Sequence, residues 1–382
     1  MEALGRFYTT VNPGLEDVAI NEIASVLEIL DVESYPGFIS FRSSLDALYM
    51  LNLGSRTIHK LILTLAEGRI ERLEDAYNVA REVSYVDYIG REQSFAVRAE
   101  RIGTHEFTSV DVAARVGQAV IDSYMSETGV RLRVDLREPD VEVFCRVRED
   151  RIWIGINTSG ESLHKRNYRV YDHPAALKAT IAASMLMLAG WSSDESILDP
   201  MCGGATIPIE AALMARKLPP GLYRKDHAFK RLIFFDQERY ERVKEALLSK
   251  VNKNVYPISG LEIHPKHLRG GRLNAFSAGV IDTVDLRRGD ARRLHKLLKT
   301  PPKYVILNPP YGKRSLDLQR VRNLYYRFTH SLKLLREPLK LAVITAAPNI
   351  FKGALRKYGF TILEDRVVKH GDLYTHIIVA LS

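Results

Sequence analysis

The fold follows from one stretch of the chain, Ser196-Ile197-Leu198-Asp199-Pro200-Met201-Cys202-Gly203-Gly204-Ala205-Thr206. A short apolar strand ends on a carboxylate, a glycine-rich turn follows, and Pro208 falls in the first turn of a helix. Glycines let a ligand lie against the backbone, but this spacing is not the dinucleotide fingerprint, whose glycines cradle a pyrophosphate. Asp199 would repel a phosphate at this strand end and would suit a cationic ligand. The stretch therefore predicts either a binding site of that kind or a plain glycine turn.

The alternation of strands and helices continues on both sides of that stretch. An apolar stripe at helical spacing precedes it, formed by Leu177, Ile181, Met185 and Leu188. Strand-like segments separated by helical ones follow at 257–262, 283–290, 303–308 and 339–345. This alternation predicts a doubly wound, mostly parallel α/β sheet. Two last strand-like segments, 361–368 and 375–381, indicate a hairpin that adds an antiparallel edge strand.

The first half of the chain has a mixed pattern. Strand-like segments lie at 7–11 and 38–42, around a helix marked by Leu15, Ala19, Ile23 and Leu27. A second block contains a helix marked by Val112, Val116 and Val120, and strand-like segments at 94–101, 132–136, 141–147 and 152–156. We therefore divide the chain into a segment at 1–60, an α+β module at 61–160, a basic linker at 161–174 and the α/β domain at 175–382.

The composition is that of a globular chain with room for two or three domains. The chain has 382 residues, and Lys and Arg outnumber Asp and Glu by 55 to 46, a formal charge of +9. This charge fits a basic protein without a nucleic-acid partner as well as one that binds a polyanion. No apolar run approaches the ~18 residues of a membrane helix, and the N-terminus lacks a signal-peptide layout. Because Cys145 and Cys202 lie far apart, we expect a cytoplasmic protein without disulfide bonds.

Two more strand ends carry carboxylates, and ligands bind past the carboxyl ends of strands in open parallel sheets. Glu262 closes the apolar run 258–261 and can accept hydrogen bonds from ribose hydroxyls. Asp236, which follows another apolar run, is the alternative, but the segment after Glu262 leads more smoothly to the next strand. Asp290, in Gly289-Asp290-Ala291, can accept from an adenine amino group or cap a helix.

The strongest signal is the turn Asn308-Pro309-Pro310-Tyr311-Gly312, which follows an apolar strand. Two prolines stiffen this turn and leave carbonyl groups without local donors. The Asn308 side-chain oxygen and the Pro309 carbonyl can both accept hydrogen bonds from one amino group, and Tyr311 can stack on a planar base that has left its helix. We expect Asn308, Pro309 and Tyr311 to be catalytic.

Together these motifs resemble those of the class I amino-group methyltransferases. The resemblance implies a Rossmann-like domain that binds S-adenosyl-L-methionine and methylates an adenine or guanine amino group. The implied cofactor-binding residues are Asp199, Pro200, Met201, Cys202, Gly203, Glu262, Ile263, Asp290, Ala291 and Asn308. The glycine turn of these enzymes usually reads Gly-Ser-Gly-Thr, where this chain has Gly203-Gly204-Ala205-Thr206.

The front half is similar to THUMP-domain methyltransferases, so the resemblance covers nearly the whole chain. The junction matches at 159–166, at 168–169 and at His173-Pro174-Ala175-Ala176-Leu177-Lys178, whereas Asn167 stands where glycine is common. The THUMP module matches at 136–141, and a preceding ferredoxin-like segment matches at 7–16. This likeness implies that THUMP docks the acceptor stem and 3′ end of tRNA while the catalytic domain makes N2-methylguanosine. The Asn-type turn looks like that of enzymes acting at guanosine 6 in the acceptor stem, whereas an Asp-type turn is similar to enzymes acting at position 10.

Other functions stay open at this point. Related Asn-type enzymes act on rRNA guanine, and the same turn occurs in adenine-N6 methyltransferases. A non-catalytic tRNA-binding THUMP protein is a further alternative. The THUMP-like half argues against a DNA substrate, and the intact set of Asp199, Glu262, Asp290 and Asn308 argues against a protein without activity.

Basic residues beside the motifs are candidates for RNA contacts. Lys165, Arg166 and Arg169 in the linker either contact phosphates or are solvated, and Lys313 and Arg314 directly follow the catalytic turn. Cys202 lies in the glycine turn, which indicates a packing role and not cysteine-dependent cytosine methylation. The histidines lack metal-ligand spacing, so we expect no metal. Nothing in the sequence demands a dimer, so we expect a monomer.

Overall fold

Two β-sheets organise the chain, one in each half. The computed structural model describes residues 4–311 and 315–382. The front sheet is built from β1 (Leu4–Thr10), β2 (Leu30–Tyr35), β3 (Phe38–Ser44), β4 (Lys60–Arg69), β5 (Ser94–Ile102), β6 (Arg133–Val134), β7 (Val141–Arg148) and β8 (Arg151–Asn157). These strands lie in the order β2-β3-β1-β4-β8-β7-β5-β6.

Helices cover one face of the front sheet. They are α1 (Glu16–Ala24), α2 (Ala47–Gly54), α3 (Leu73–Arg81) and α4 (Ser109–Thr128). Alternate strand residues such as Phe7 and Ile154 point toward them and join one buried apolar cluster with Val112 and Val116 of α4. A smaller aromatic cluster on the other face contains Tyr8, Phe38, Phe144 and Trp153.

The front sheet is continuous across the predicted division at residue 60. β1 pairs with β4, with Phe7 opposite Leu63, and β4 pairs in turn with β8. The two front units therefore share one sheet, although each has its own helices. The division of the chain into domains stays a prediction.

Three front strands differ from the sequence-based prediction. β4 was not predicted. β2 was not predicted either. It is an edge strand whose residues are all exposed or half-buried, so it lacks the buried apolar face that would indicate a strand. The strand predicted at 132–136 is only the two-residue β6. The Asp135 side chain ends it by accepting hydrogen bonds from the N–H groups of Arg137 and Glu138, at 2.9 and 3.1 Å, which turns the backbone.

The back sheet confirms the predicted doubly wound fold. Its strands are β9 (Ile197–Asp199), β10 (Ile258–Glu262), β11 (Val284–Arg288), β12 (Tyr304–Leu307), β13 (Lys340–Thr345), β14 (Thr361–His370) and β15 (Leu373–Leu381). They lie in the order β11-β10-β9-β12-β13-β15-β14. The first five in that order pair in parallel, and the predicted hairpin of β14 and β15 adds antiparallel strands at the edge.

The back helices flank this sheet. They are α5 (Ala179–Leu188), α6 (Thr206–Ala215), α7 (Gln237–Leu248), α8 (Pro265–Ser277), α9 (Leu294–Leu297), α10 (Ser315–Lys333) and α11 (Pro348–Lys357). The insertion at 215–255, between α6 and β10, contains α7 and packs back onto the front half, since Phe229, Tyr240 and Val243 belong to the front core. The insertion thus binds the two halves together.

A buried charge cluster also joins the halves. The Arg166 guanidinium donates to the Arg56 carbonyl at 2.9 Å, and its Nε lies 3.5 Å from Oε1 of Glu210 on α6. The Tyr168 hydroxyl donates to the same Glu210 oxygen at 2.8 Å. Arg56, from the front half, donates to two carbonyl groups of the back half at 3.0 and 2.8 Å. Because Glu210 is fully buried, its carboxylate depends on these partners.

Replacing Tyr168 with phenylalanine should lower the free energy of unfolding by about 1.5 kcal/mol, because Glu210 loses a hydrogen-bond donor and cannot reach water instead. Urea denaturation of both proteins measures this difference. Tyr374→Phe is the matched control, since that ring is 70% exposed and its hydroxyl needs no protein partner. Equal stability of Tyr168→Phe and wild type would contradict the role of this hydrogen bond.

Candidate functional site

The four strand ends with motif residues lie side by side at one edge of the back sheet. The order β11-β10-β9-β12 places Asp290, Glu262, Asp199 and Asn308 in a row, because all four strands run in parallel. Neighbouring strands are about 4.8 Å apart, so the row extends over about 15 Å. The topology thus brings together residues that are far apart in the sequence.

Glu262 holds the glycine turn between β9 and α6 in place. Its Oε2 accepts a hydrogen bond from the Gly203 N–H at 3.0 Å, and its Oε1 accepts from the His264 N–H at 2.8 Å. Gly203 and Ala205 both have positive φ, +51° and +63°, a conformation that favours glycine. Ala205 stands where the resembling enzymes usually have glycine, and its positive φ gives the physical reason for that usual residue.

Asp199 is a buried carboxylate with little local compensation. The side chain is 3% exposed, and its Oδ1 accepts one hydrogen bond, from the Met201 N–H at 3.1 Å. Burial and, to a smaller extent, the nearby Glu262 charge together raise its pKa to about 8 in spite of that hydrogen bond. A cation placed against Asp199 would favour the ionised carboxylate, so the site is suited to a positively charged group.

Asp290 caps the short helical turn that follows β11. Its carboxylate accepts from the Arg292 N–H at 2.9 Å and from the Arg292 guanidinium at 2.8 Å. These contacts, led by the guanidinium hydrogen bond, hold the pKa of Asp290 below its usual value. The capping role considered for Asp290 is confirmed, and its contact with a cofactor stays a prediction.

Cys202 and Asp236, which were also considered in the sequence, have structural roles. Cys202 is buried against Gly260, where an added Cβ would lie 3.1 Å from the Cys202 Sγ, and burial raises the pKa of this thiol. Asp236 caps α7 by accepting from the Arg239 N–H at 2.9 Å, and its own N–H donates to Tyr49 of the front half. Asp236 is therefore remote from the row, and Glu262 is the carboxylate at the strand end.

The Asn308 turn is anchored on both sides. The Asn308 Nδ2 donates to the Ala175 carbonyl at 3.3 Å, which directs its Oδ1 away from the linker. The Tyr325 hydroxyl of α10 donates to the Pro310 carbonyl at 3.1 Å and lies 2.9 Å from the Thr345 hydroxyl at the end of β13. Neither contact could be predicted from the sequence, because each partner comes from a distant segment.

The Tyr311 hydroxyl donates a hydrogen bond to Oδ1 of Asn308. This arrangement differs from the expected role of Tyr311 as a stacking platform, because the ring is turned toward its own turn. Burial also raises the pKa of Tyr311, so the phenol stays a donor at neutral pH. The Tyr311 hydroxyl thus occupies one of the two acceptor positions of the Asn308 oxygen.

Asn274 fastens the linker to the glycine turn. Its Oδ1 accepts from the N–H groups of Val170 and Tyr171 at 3.0 and 2.8 Å. Its Nδ2 donates to the carbonyls of Tyr171 and Gly204, both at 3.0 Å. The side chain is 2% exposed, so all its hydrogen bonds are made within the protein. Sequence reasoning missed Asn274, whose only signal is a polar residue on the inner side of α8.

Replacing Asn274 with alanine should reduce kcat about tenfold for the methyl transfer that the sequence predicts, because the linker then loses its register on the glycine turn and Ala175 shifts away from Asn308. Steady-state kinetics with saturating substrates measures this loss. Leu273→Ala is the matched control on the same helix, since Leu273 is 57% exposed. Full activity of Asn274→Ala would show that the linker does not position the catalytic turn.

The basic linker residues are less available than expected. The Arg166 side chain is 2% exposed, and its guanidinium group belongs to the buried charge cluster, so its contact with phosphates stays a prediction that this burial does not favour. Arg169 is half-buried and donates to the Leu177 carbonyl at 2.8 Å. Lys165 is exposed, and its ammonium group lies 2.8 Å from Glu161. Lys313 and Arg314 lie outside the described residues.

In the part of the chain that the structure describes, no helix is long and apolar enough to span a membrane, and no group of three metal-ligating side chains comes together. A cleft of about 490 Å³, lined by residues such as Tyr256 and Thr283, lies at the amino ends of β10 and β11. That is the edge of the sheet opposite the row.

Family models match three consecutive parts of the chain. An RMKL-like methyltransferase domain matches residues 166–376, a THUMP domain matches residues 71–157, and an RlmL ferredoxin-like domain matches residues 6–62. These matches cover the catalytic half, the second block of the front half and the segment that precedes it.

Named relatives match the chain over nearly its full length. A tRNA (guanine(6)-N2)-methyltransferase of Methanocaldococcus jannaschii is 40% identical over 97% of this chain and 98% of its own. One of the same name from Archaeoglobus fulgidus is 38% identical over 98% of this chain and 91% of its own. The crystal structure of a possible methylase from Clostridium difficile has the same fold, with a TM-score of 0.89 at 24% identity, over 99% of this chain and 98% of its own.

Proposed function

The chain belongs to the family of THUMP-containing methyltransferases with an RMKL-like catalytic domain, and we propose that it is a tRNA (guanine(6)-N2)-methyltransferase. In this reaction a methyl group passes from S-adenosyl-L-methionine to the exocyclic N2 amino group of guanosine 6 in the acceptor stem. The observation that carries the proposal is the row of Asp290, Glu262, Asp199 and Asn308 at one sheet edge. The two archaeal relatives support tRNA guanosine over the rRNA, adenine and non-catalytic alternatives.

The row fits S-adenosyl-L-methionine. Asp199 is buried, with one hydrogen bond, and suits the cationic amino group of the methionine part. Glu262 sits at the next strand end, where a carboxylate can accept from ribose hydroxyls. The His173 ring packs over Gly203, where an added Cβ would lie 3.3 Å from the ring. Pro200, Met201, Cys202, Ile263, Asp290 and Ala291 complete the proposed cofactor-binding set.

The Asn308 turn would orient the amino group that is methylated. The lone pair of a guanine N2 is delocalised into the ring, which makes this nitrogen a weak nucleophile. Hydrogen bonds to the Asn308 Oδ1 and the Pro309 carbonyl would turn it toward the methyl group, and most of the rate gain would come from this orientation. The bound cofactor supplies that methyl group on a sulfonium. After transfer the nitrogen is acidic and can lose its proton to water, so no strong base is required.

Tyr311 would exchange its hydrogen bond for a stacking contact. In this structure its hydroxyl occupies the Asn308 oxygen. A flipped-out guanine whose amino group takes that oxygen would free the Tyr311 ring to stack on the base, which helps to hold the base outside the helix. The side chain would thus protect the acceptor in the free enzyme and hold the base in the complex.

The front half would dock the acceptor stem and 3′ end of tRNA through its THUMP domain. Lys165 and Arg169 remain candidates for phosphate contacts near the site, together with Lys313 and Arg314. These contacts would position the stem, whereas selection of guanosine 6 would depend on the distance between the docked 3′ end and the Asn308 turn.

A substrate panel tests the proposal. Purified protein and radiolabelled S-adenosyl-L-methionine are incubated with an unmodified tRNA, the same tRNA with guanosine 6 changed to adenosine, an rRNA fragment and duplex DNA. We expect label only in the tRNA with guanosine 6. Label in the adenosine variant, the rRNA or the DNA would contradict the proposal, as would tight tRNA binding without transfer.

A further inference from the structure

Basic side chains from three segments converge beside the linker, where the two halves of the chain meet. His59 of the front half lies with its Nε2 2.8 Å from Oδ1 of Asn12 and 3.2 Å from the hydroxyl of Thr180 on α5. The Asn12 Nδ2 donates to the Lys369 carbonyl of β14 at 3.1 Å. The His59 and His164 rings are 5.3 Å apart between centroids. These contacts bring together the segments that carry Lys178 at the start of α5, the β14 pair Lys369 and His370, and His164 of the linker.

The charges that act on this cluster are positive. Besides burial, Lys369 lowers the pKa of Lys178, and Lys178 lowers the pKa of His370. Burial lowers the pKa of His164 to about 4, and Lys178 is the first of four cations that add to this effect. The nearby Glu161 is held by Lys165 at 2.8 Å. Like charges held together destabilise one another unless an anion joins them.

Neither lysine has an acidic partner among the residues that the structure describes. Among the described residues, no carboxylate oxygen lies within the 4.0 Å ion-pair distance of the Lys178 or Lys369 ammonium group. Lys369 is exposed and Lys178 and His370 are half-buried, so the cluster opens to solvent and can be reached by a large ligand. Most cations of the front sheet differ in this respect, since Arg6, Lys60 and Arg151 each form ion pairs with glutamates.

The cluster is adjacent to the catalytic turn along the chain and in space. Lys178 lies three residues after Ala175 in the chain, and the Ala175 carbonyl accepts the hydrogen bond from Asn308 Nδ2. The Leu177 carbonyl between them is fixed by Arg169 at 2.8 Å. An RNA strand that places one nucleotide at Asn308 therefore has its neighbouring phosphates within reach of the cluster, because successive phosphates of one strand are only several ångströms apart.

We propose that Lys178, Lys369, His164 and His370 bind a backbone phosphate of the RNA next to the nucleotide that is methylated. Lys178 and Lys369 supply the charge, and the two histidines supply ring N–H donors. This inference rests on the proposed function, since it assigns the substrate phosphate at the same site. The cluster would hold the strand on one side of the target while the THUMP domain holds the distant end of the tRNA.

The test is the salt dependence of tRNA binding by a Lys178→Ala/Lys369→Ala double variant. The matched control is Lys299→Ala/Lys333→Ala. It removes the same charge from exposed positions in the segments that lead into β12 and β13. Dissociation constants for unmodified tRNA are measured over a series of salt concentrations, and cofactor binding and methyl transfer are measured on the same proteins. We expect weaker tRNA binding by the double variant, with a log–log salt slope smaller by about 1 for each phosphate that the protein no longer neutralises.

Several outcomes would overturn this inference. One is an unchanged salt slope in the double variant, whether or not methyl transfer falls, because removal of a phosphate-binding cation must reduce the slope. Another is an equal reduction in the control, which would reflect net charge alone. Binding of inorganic phosphate at the cluster without any change in the slope for tRNA would indicate a site for a free anion. Failure of wild type to methylate tRNA, with the slope change intact, would instead overturn the proposed function.

Discussion

Replacing Asn308 with alanine is expected to lower kcat for tRNA methylation about 10²- to 10³-fold, the range seen when one preorganised hydrogen-bonding group is removed from an active site. The dissociation constant for S-adenosyl-L-methionine should stay nearly unchanged. The reason is that Asn308 Oδ1 lies in the turn, with its amide fixed by Ala175, and would contact the amino group only during reaction. Single-turnover methyl transfer and calorimetric cofactor binding measure the two quantities separately.

Two further variants make this result specific. Asn308→Asp keeps an acceptor oxygen and should retain more activity than the alanine variant. Asn254→Ala is the matched control, since Asn254 is exposed near the amino end of β10, and it should behave as wild type. Equal loss of turnover and of cofactor binding in Asn308→Ala would mean that Asn308 shapes the cofactor site instead of positioning the base.

Replacing Asp199 with asparagine is expected to weaken binding of S-adenosyl-L-methionine about 30-fold or more, because truncating one partner of a buried charge pair costs roughly 2–5 kcal/mol. Asparagine has nearly the same shape, so the glycine turn should stay folded. Isothermal calorimetry gives the dissociation constants. The matched control is Asp194→Asn, an exposed residue before β9, and a normal affinity of Asp199→Asn would contradict the assigned contact.

The raised pKa of Asp199 also predicts a pH dependence. In the free protein this pKa is about 8, so most of the carboxyl groups are protonated at neutral pH and must ionise to pair with a cation. Cofactor affinity of wild type should therefore rise between about pH 6 and pH 8, beyond any change caused by the ligand's own amino group. Asp199→Asn should lack this additional rise, and an identical pH profile in both proteins would exclude Asp199 as its cause.

The Asp199 carboxyl group should also make the free energy of unfolding of the cofactor-free protein depend on pH. The unfolded chain releases the Asp199 proton at about pH 4, whereas the folded protein keeps it up to about pH 8. The folded state thus holds more protons in this interval, and the contribution of Asp199 to the free energy of unfolding falls as pH rises through it. Urea denaturation across this range should show a smaller decrease for Asp199→Asn.

Much of the catalytic half could be predicted from the sequence, because buried parallel strands appear as short apolar runs that end on polar residues. Asp199, Glu262, Asp290 and Asn308 each follow such a run, and the general rule for open sheets places ligands at those ends. The hairpin of β14 and β15 was also predicted, since its two strand-like segments are separated by a short polar turn.

The remaining features depend on partners that are distant in the sequence. Arg166 lies in a polar, basic stretch that is typical of a surface linker, and only the fold places it beside Glu210. Asn274 is one polar residue on a helix, and its role needs the linker and the glycine turn to meet there. The Tyr311 hydroxyl could equally have pointed to solvent, so its contact with Asn308 required coordinates.

The most direct test of the central claim is nucleoside mapping of the wild-type product. An unmodified tRNA is incubated with the protein and S-adenosyl-L-methionine, digested, and analysed by mass spectrometry of its fragments. The Asn308 turn and its cofactor row predict N2-methylguanosine at position 6 of the acceptor stem. Methyladenosine, or N2-methylguanosine at any other position, would contradict the assignment of base and site.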